Sequence, residues 1–151
     1  KGKYHLEVSD VREVSKIVDN LKTIGAFTQI DAVVTEGFLG PMYGSFPTPE
    51  EIKANFKELT KLYTAAFQDY LKFLSKGGKV VMCLPAYKKR DEYVMYPDLD
   101  QLTKIGYNLV DLIPKNLAES LPFLKITDRG TSIYDRKDQV VAREIIIFEV
   151  K

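Results

Sequence analysis

A short apolar run that ends in an acid and a glycine-rich loop constrains the fold more than any other stretch. Ala32, Val33 and Val34 show no alternation with polar residues, which is typical of a strand covered on both faces of an α/β sheet. Glu36 follows at the carboxyl end of this strand. Ligands bind at the carboxyl ends of strands in open α/β sheets. The run therefore predicts a buried strand over 30–35 that delivers a reactive loop.

Length and composition limit the class of protein. The chain has 151 residues, of which 45% are hydrophobic and 28% charged, so we expect one globular domain over residues 1–151. A net charge of +1 argues against a strongly electrostatic nucleic-acid binder but allows a local basic patch. The single cysteine, Cys83, excludes a disulfide within the chain, and we expect a reducing, cytoplasmic compartment. No apolar stretch reaches the roughly 20 residues that a membrane span needs, so no membrane partner is expected.

The amino-terminal part of the chain reads as a strand followed by a helix. Residues 4–8 alternate between apolar and polar side chains, which predicts a first strand. Asp10 and Glu13 then have capping-box spacing, and apolar residues recur at helical intervals after them. The pattern predicts a helix over about 11–22.

The clearest helix start lies at Thr48, with Pro49 suited to the first helical position and Glu51 completing a capping box. Apolar side chains then recur every three or four residues until Gly77-Gly78, which predict the end of the helix. The apolar run over 79–84 follows directly and predicts a central strand.

The remainder of the chain predicts one more helix and three strands. The helix covers 102–112, a strand follows over 121–127, and strands over 132–136 and 140–150 form a closing hairpin. Strands that alternate with helices predict an α/β fold with a mostly parallel sheet. The hairpin adds an antiparallel carboxyl-terminal element.

Three stretches, in this order and spacing, resemble a known family: Val8-Ser9-Asp10, Thr35 to Pro41, and Gly77 to Val81. They are similar to the second half of a class I S-adenosylmethionine-dependent methyltransferase. The closest likeness is to the RNA methylase family that includes the tRNA guanosine-N2 methyltransferases. The resemblance implies a partial Rossmann-like sheet whose first two strands and glycine-rich loop are missing. It also implies that the chain is the carboxyl-terminal portion of a catalytic domain and is inactive alone.

The resemblance implies that Asp10 and Val11 bind the adenine of S-adenosylmethionine. Asp10 accepts from the exocyclic amine of the ring in this interpretation, and Val11 packs on the ring. A second interpretation, to which we give equal weight, is that Asp10 only caps the helix.

The resemblance also implies that Glu36 is catalytic and helps to bind the cofactor. The segment Glu36, Gly37, Phe38, Leu39, Gly40 and Pro41, here called the target loop, would orient the amine to be methylated. The family carries Pro-Pro-aromatic-Gly after its acid, so Gly37 replaces a proline and predicts a flexible turn. Phe38 is placed to stack on a flipped base. Alternatively, Glu36 caps a glycine turn, and Phe38, Tyr43 and Phe46 pack the loop onto the long helix.

These observations leave three functions open. The first is part of a methyltransferase that acts on an exocyclic amine of an RNA base, with tRNA the expected substrate. The second is a non-catalytic α/β binding or assembly domain, and the third is a methyltransferase with a small-molecule acceptor. Zinc sites and Cys–His catalysis are disfavoured because the chain has one histidine and one cysteine. Two groups of basic residues either contact an RNA backbone or form a solvated face: Lys88, Lys89 and Arg90, and Arg129, Arg136 and Arg143.

A missing pair of strands leaves an unpaired edge on strand 30–35. We expect this edge to pair with strand 4–8 or with a second copy of the chain, which would give a homodimer.

Overall fold

The computed structural model describes residues 4–26, 29–90 and 92–151. After a 3₁₀ turn over Val11–Glu13, the helices are α1 (Val14–Thr23), α2 (Pro49–Tyr70), α3 (Leu99–Gly106) and α4 (Lys115–Ala118). The strands are β1 (Ile30–Thr35), β2 (Leu74–Lys89), β3 (Glu92–Met95), β4 (Tyr107–Val110), β5 (Ser132–Tyr134) and β6 (Val141–Val150).

The described strands form one mixed sheet in the order β1-β2-β6-β4, with β3 paired to β2 and β5 paired to β6. Of these strands, only β1 and β2 pair in parallel. The prediction of a mostly parallel sheet is therefore wrong for the strand pairs. Strand β6 lies between β2 and β4 and runs antiparallel to both. Strands β2 and β4 therefore run in the same direction but are not neighbours in the sheet.

The long helix α2 begins as its sequence predicts. The Thr48 side chain accepts from the Glu51 main-chain N–H, and the Glu51 side chain accepts from the Thr48 N–H, which completes the capping box. The helix ends at Tyr70, well before Gly77-Gly78, and those glycines lie inside β2. Among the described residues, no helix has the length and apolar character needed to cross a membrane.

One face of the sheet packs against α2. Val80 and Met82 of β2 and Phe148 of β6 are buried on this face, and Phe67 of α2 lies with its ring centroid 5.0 Å from that of Phe148. Edge contacts of this kind between aromatic rings contribute about 1 kcal/mol beyond the burial of area. Further buried aromatic side chains of this core are Phe56, Tyr63, Tyr70, Tyr87, Tyr96 and Tyr107.

The opposite face of the sheet is only partly covered. Val34 is 77% exposed, and its neighbour Val81 is half-buried. The prediction that strand 30–35 is covered on both faces is therefore wrong, because no described helix packs over Val34. The outer edge of β1 is also unpaired within the described residues.

Two predicted strands are not formed. Residues 4–8 are extended but unpaired, with Val8 fully exposed, so they do not cover the edge of β1. Residues 121–127 form turns with one isolated bridge at Ile126. The fourth strand of the core sheet is instead Tyr107–Val110, inside the predicted helix 102–112. The helix ends at Gly106, whose φ of +144° favours glycine.

Asp69 of α2 fixes the position of α1. Its buried carboxylate accepts from the Ser15 main-chain N–H at 2.7 Å and from Lys72 Nζ at 2.8 Å. Burial acts to raise the pKa of Asp69, but the hydrogen bonds from Lys72 and Ser15 outweigh it and leave the pKa lowered. The start of α1 is thereby held beside the carboxyl end of β1.

Candidate functional site

A pocket of about 300 Å³ opens at the carboxyl end of β1. Val11, at the start of the first helical turn, and Glu36 and Phe38, from the target loop, all line it. Its base is formed by Tyr63 and Met82. Two separate stretches of the sequence therefore share one concave surface. Gly37 lines this pocket too, whereas the other members of the target loop, Leu39, Gly40 and Pro41, line a second pocket of about 370 Å³ beside Arg143.

Glu36 forms an ion pair with Arg143 of β6. Oε1 of Glu36 accepts from Nε of Arg143, and Nη1 of the same arginine donates to Gln139 at 2.6 Å. The Glu36 side chain remains 57% exposed, and its Oε2 atom takes no part in this contact. An acid held in one orientation, with one oxygen still open to solvent, is suited to accept from a donor in the pocket.

The target loop is tied to α2 by two long-range hydrogen bonds. Tyr63 donates its O–H to the Phe38 carbonyl at 2.6 Å, and Asn55 Nδ2 donates to the Leu39 carbonyl at 3.1 Å. Asn55 also donates to the Tyr87 hydroxyl at 2.6 Å. These side chains anchor the loop from a distant part of the sequence, and the flexibility of the turn stays a prediction.

Gly37 and Gly40 are required by the backbone of this loop. Gly37 has a φ of +75°, which a proline, fixed near about −65°, cannot adopt. Gly40 has a φ of +109°, and a Cβ atom there would lie 2.3 Å from Nδ2 of Asn55. The loop is therefore a different turn from the Pro-Pro turn of the family that it resembles.

Asp10 acts as a cap. Its Oδ1 accepts from the main-chain N–H and from Nε of Arg12, each at 2.9 Å, and its Oδ2 pairs with the same guanidinium. Hydrogen bonds from Arg12 hold the pKa of Asp10 well below its usual range. Asp10 does not line the pocket, whereas its neighbour Val11 does. The geometry thus agrees with the capping role and leaves a cofactor role for Asp10 a prediction.

The tyrosine and cysteine side chains around the pocket remain in their neutral forms. Burial raises the pKa of Tyr70 to about 12, and burial also raises the pKa of Tyr63. Burial and the charge of Glu36 raise the pKa of the Cys83 thiol, so Cys83 is not an activated nucleophile. Among the described residues, no group of three His, Cys, Asp or Glu side chains is placed to hold a metal ion.

The three arginines that were predicted to contact RNA interact with other residues of the protein. Arg129 donates to the Tyr96 carbonyl and lies 3.5 Å from Glu144, and Arg136 lies over the ring of Tyr134. Arg143 is committed to Glu36. These side chains therefore stabilise the fold around the loop.

Sequence reasoning missed the residues that anchor the target loop. Tyr63 and Asn55 lie in the apolar and polar pattern of α2, where nothing distinguishes them from core or surface positions. The sequence predicts Arg143 as a contact to an RNA backbone or part of a solvated face, and not as the partner of Glu36. The short spacing between Gly37 and Gly40 is the one local signal that a turn with positive φ is needed here.

No protein-family model matches the chain, and a comparison with curated proteins finds no match. Among solved structures, the chain is similar to a Thermus thermophilus protein assigned as a DNA modification methylase, with a TM-score of 0.44 and 12% identity over 95% of this chain and 52% of that one. A complex of that protein with S-adenosyl-L-methionine gives a TM-score of 0.39 and 13% identity, over 95% of this chain and 54% of that one. TrmN from Thermus thermophilus gives 0.45 and 13%, over 96% of this chain and 28% of its own.

This chain therefore spans about half the length of the first protein and 28% of TrmN. Similarity at this level does not establish a shared function.

Proposed function

We propose that the chain is the carboxyl-terminal portion of an S-adenosylmethionine-dependent methyltransferase that acts on an exocyclic amine of an RNA base. One observation carries the proposal: Val11 and Glu36 line the same pocket at the carboxyl end of β1. The resemblance assigns the first to the adenine of the cofactor and the second to the acceptor amine. A methyl transfer needs these two partners side by side.

The pocket fits one end of the cofactor. Its walls are mainly apolar side chains, among them Val11, Leu62 and Phe67, and these suit a flat aromatic ring. No described residue in the pocket provides a glycine-rich cradle for the methionine end. We propose that the residues that bind the methionine end lie in another part of the methyltransferase. The cofactor supplies an activated methyl group on its sulfonium, so the protein only has to position and desolvate the acceptor.

The target loop performs the positioning. Glu36, oriented by Arg143, accepts a hydrogen bond from the acceptor amine through its Oε2 atom and aims the nitrogen lone pair at the methyl group. Phe38, which is 59% exposed, offers a face on which the target base stacks. Tyr63 and Asn55 hold both residues in place through the main chain of the loop.

A second candidate function is supported by the same ion pair. Glu36 is already neutralised by Arg143, and Gly37 replaces the proline of the family. Both features suit a non-catalytic assembly domain in which the Glu36–Arg143 pair only fixes the loop to β6.

Transfer of labelled methyl groups to bulk tRNA separates the two candidates. The protein that contains this chain is compared with its Glu36→Ala variant and with Glu149→Ala, which removes a different strand-end ion pair, to Lys79. We expect Glu36→Ala to lower kcat by about 100-fold, because the acceptor amine loses its orienting partner, while Glu149→Ala keeps wild-type activity. Equal transfer by wild type and Glu36→Ala would remove the catalytic assignment.

A further inference from the structure

A larger groove, of about 940 Å³, lies along the amino-terminal half of α2. It runs between the amino-terminal half of α2, the β2–β3 hairpin and the entry to α3. Its walls are mainly apolar side chains, among them Phe46, Ile52, Phe56, Val94 and Pro97. A cleft of this volume and lining is typical of a binding site. None of the residues of the target loop itself, Glu36 to Pro41, lines it.

Four lysines surround this groove. Lys53, Lys57 and Lys61 lie on one side of α2 at four-residue spacing, and Lys89 stands at the end of β2. Lys61 pairs with Glu58, whereas the other three form no ion pair with a described residue. Successive lysines of the helix are about 6 Å apart along its axis, because each residue rises about 1.5 Å. They form a line of positive charge along the edge of an apolar floor.

The one acid in the groove lining does not cancel this charge. Asp98 accepts from the Thr60 hydroxyl at 2.6 Å, and that hydroxyl also accepts from the Tyr96 O–H at 2.8 Å. Asp98 is thus engaged with the Thr60 hydroxyl. Besides Lys61, which pairs with Glu58, the lining presents three lysines against this one acid, which favours an anionic partner.

The groove is continuous with the target loop along the chain. Phe46 and Pro47, which line the groove, close the irregular segment that begins at Glu36. Phe46 is 45% exposed and Phe38 is 59% exposed. Two exposed aromatic rings therefore lie in one segment, one at the groove and one at the pocket.

We propose that this groove, here called the lysine groove, holds the single-stranded nucleic acid whose base enters the target loop. The proposal rests on the proposed function and adds the surface that holds the substrate. The lysines bind successive phosphates, and Phe46 with the apolar floor packs against unstacked bases. Positive grooves with aromatic platforms bind single strands in this sequence-tolerant way.

The charges and the aromatic rings together favour a nucleic acid over an acidic amphipathic peptide. A peptide helix would use the apolar floor and the lysines, but it has no row of flat bases to pack against the exposed ring of Phe46. A single strand uses all three features, because its bases project from a line of phosphates. A peptide that occupies the groove is therefore the competing outcome of the test.

The test measures binding of a labelled single-stranded RNA as a function of salt concentration. In the protein that contains this chain, Lys53, Lys57 and Lys61 are replaced together by Gln. We expect binding to weaken by about tenfold and the log–log salt slope to fall by about 2, since each phosphate contact to a single strand contributes about 0.7. Replacement of the same three lysines by Arg keeps the charge, and we expect it to keep the slope.

A matched triple variant provides the control. Lys22, Lys76 and Lys104 lie at the amino-terminal end of the sheet, where β1, β2 and β4 begin, and their replacement by Gln should leave the slope unchanged. An equal loss of slope in both triple variants would overturn the proposal. The proposal would also be overturned if an acidic amphipathic peptide bound the wild-type groove and the RNA did not displace it.

The failure of this inference differs from the failure of the proposed function. Normal RNA binding by the lysine variant, together with loss of methyl transfer in Glu36→Ala, overturns the lysine groove alone. A lowered salt slope in the lysine variant, in a protein that transfers no methyl group, supports the lysine groove and removes the proposed function.

Discussion

The hydroxyl of Tyr63 donates a 2.6 Å hydrogen bond to the main-chain carbonyl oxygen of Phe38. The bond joins the middle of α2 to the target loop across 25 residues of sequence. Because Tyr63 is buried and its pKa is raised by burial, it remains a donor over the whole physiological pH range. The position of the loop therefore depends on a side chain of the core.

Replacement of Tyr63 by Phe should loosen the target loop. We expect a loss of about 1 kcal/mol in the free energy of unfolding, because one buried hydrogen bond disappears and the Phe38 carbonyl loses its partner. Tyr107→Phe is the matched control, since Tyr107 donates to the Phe67 carbonyl of α2 and not to the target loop. Both variants should lose similar stability, but only Tyr63→Phe should speed amide hydrogen exchange at residues 37–40. Unchanged exchange there would show that the bond does not hold the loop.

Alanine at the two loop glycines should have unequal effects. Gly37→Ala places a Cβ atom no closer than 3.4 Å to its neighbours, so only the backbone cost of about 1 kcal/mol is expected. Gly40→Ala places a Cβ atom 2.3 Å from Asn55 and should cost about 3 kcal/mol in total. Gly25→Ala, at a φ of +70° in open space, controls for the backbone cost alone. Urea unfolding measures all three, and equal losses would contradict the close packing of Gly40.

Glu144 should make the protein less stable as the pH rises above the ordinary carboxyl range. Its side chain is fully buried, accepts from Thr131 at 2.7 Å and has an Oε2 atom without a hydrogen-bond partner among the described residues. Burial raises its pKa, although Thr131 and Arg129 act to lower it. The folded protein thus holds this proton more tightly than the unfolded chain does. The contribution to stability is full below the unfolded value near 4.5 and is lost as the pH rises through the folded pKa.

Urea unfolding of wild type and Glu144→Gln, from acid to neutral pH, measures this contribution. Glutamine keeps the acceptor for Thr131 but cannot ionise, so we expect the variant to gain stability over wild type as the pH increases. Glu149→Gln, at an exposed ion pair, should show no such trend. A constant difference between wild type and Glu144→Gln would contradict the shifted pKa.

The open edge of β1 should cause self-association of the chain when it is studied alone. Strand edges and apolar faces without partners promote pairing between copies, and a lysine on an edge strand prevents it. Val34→Lys should therefore shift sedimentation toward the monomer, whereas Val8→Lys, in the unpaired segment, should not. A wild-type chain that remains monomeric as its concentration rises would contradict the prediction of a homodimer.

Short sequence patterns correctly predicted the helix and strands that depend on interactions between residues close together in the chain. The start of α2 follows from Thr48, Pro49 and Glu51, and the structure contains the full capping box. The strand at 30–35 and the closing hairpin are confirmed as well. The strand at Tyr107–Val110 was missed, because Leu109 continues the helical spacing of the residues before it. Only pairing with β6 selects the strand there.

The order of the strands and the anchoring of the loop depend on contacts that no local pattern contains. The antiparallel insertion of β6 between β2 and β4 joins residues that are far apart in the sequence, as the pairing of Val81 with Ile147 shows. Tyr63 and Asn55 hold the target loop from inside a regular helical pattern. The sequence could indicate that Glu36 ends a strand, but not that Arg143 holds it.

The most direct test is a calorimetric titration of S-adenosylmethionine into the proposed methyltransferase. The proposed adenine site predicts that wild type binds and that Val11→Asp binds at least about tenfold more weakly, because a carboxylate would replace an apolar wall. Val8→Asp, at an exposed side chain, should bind as wild type does. A thermal melt establishes that each variant is folded. No binding by wild type, or equal binding by wild type and a folded Val11→Asp, would contradict the account.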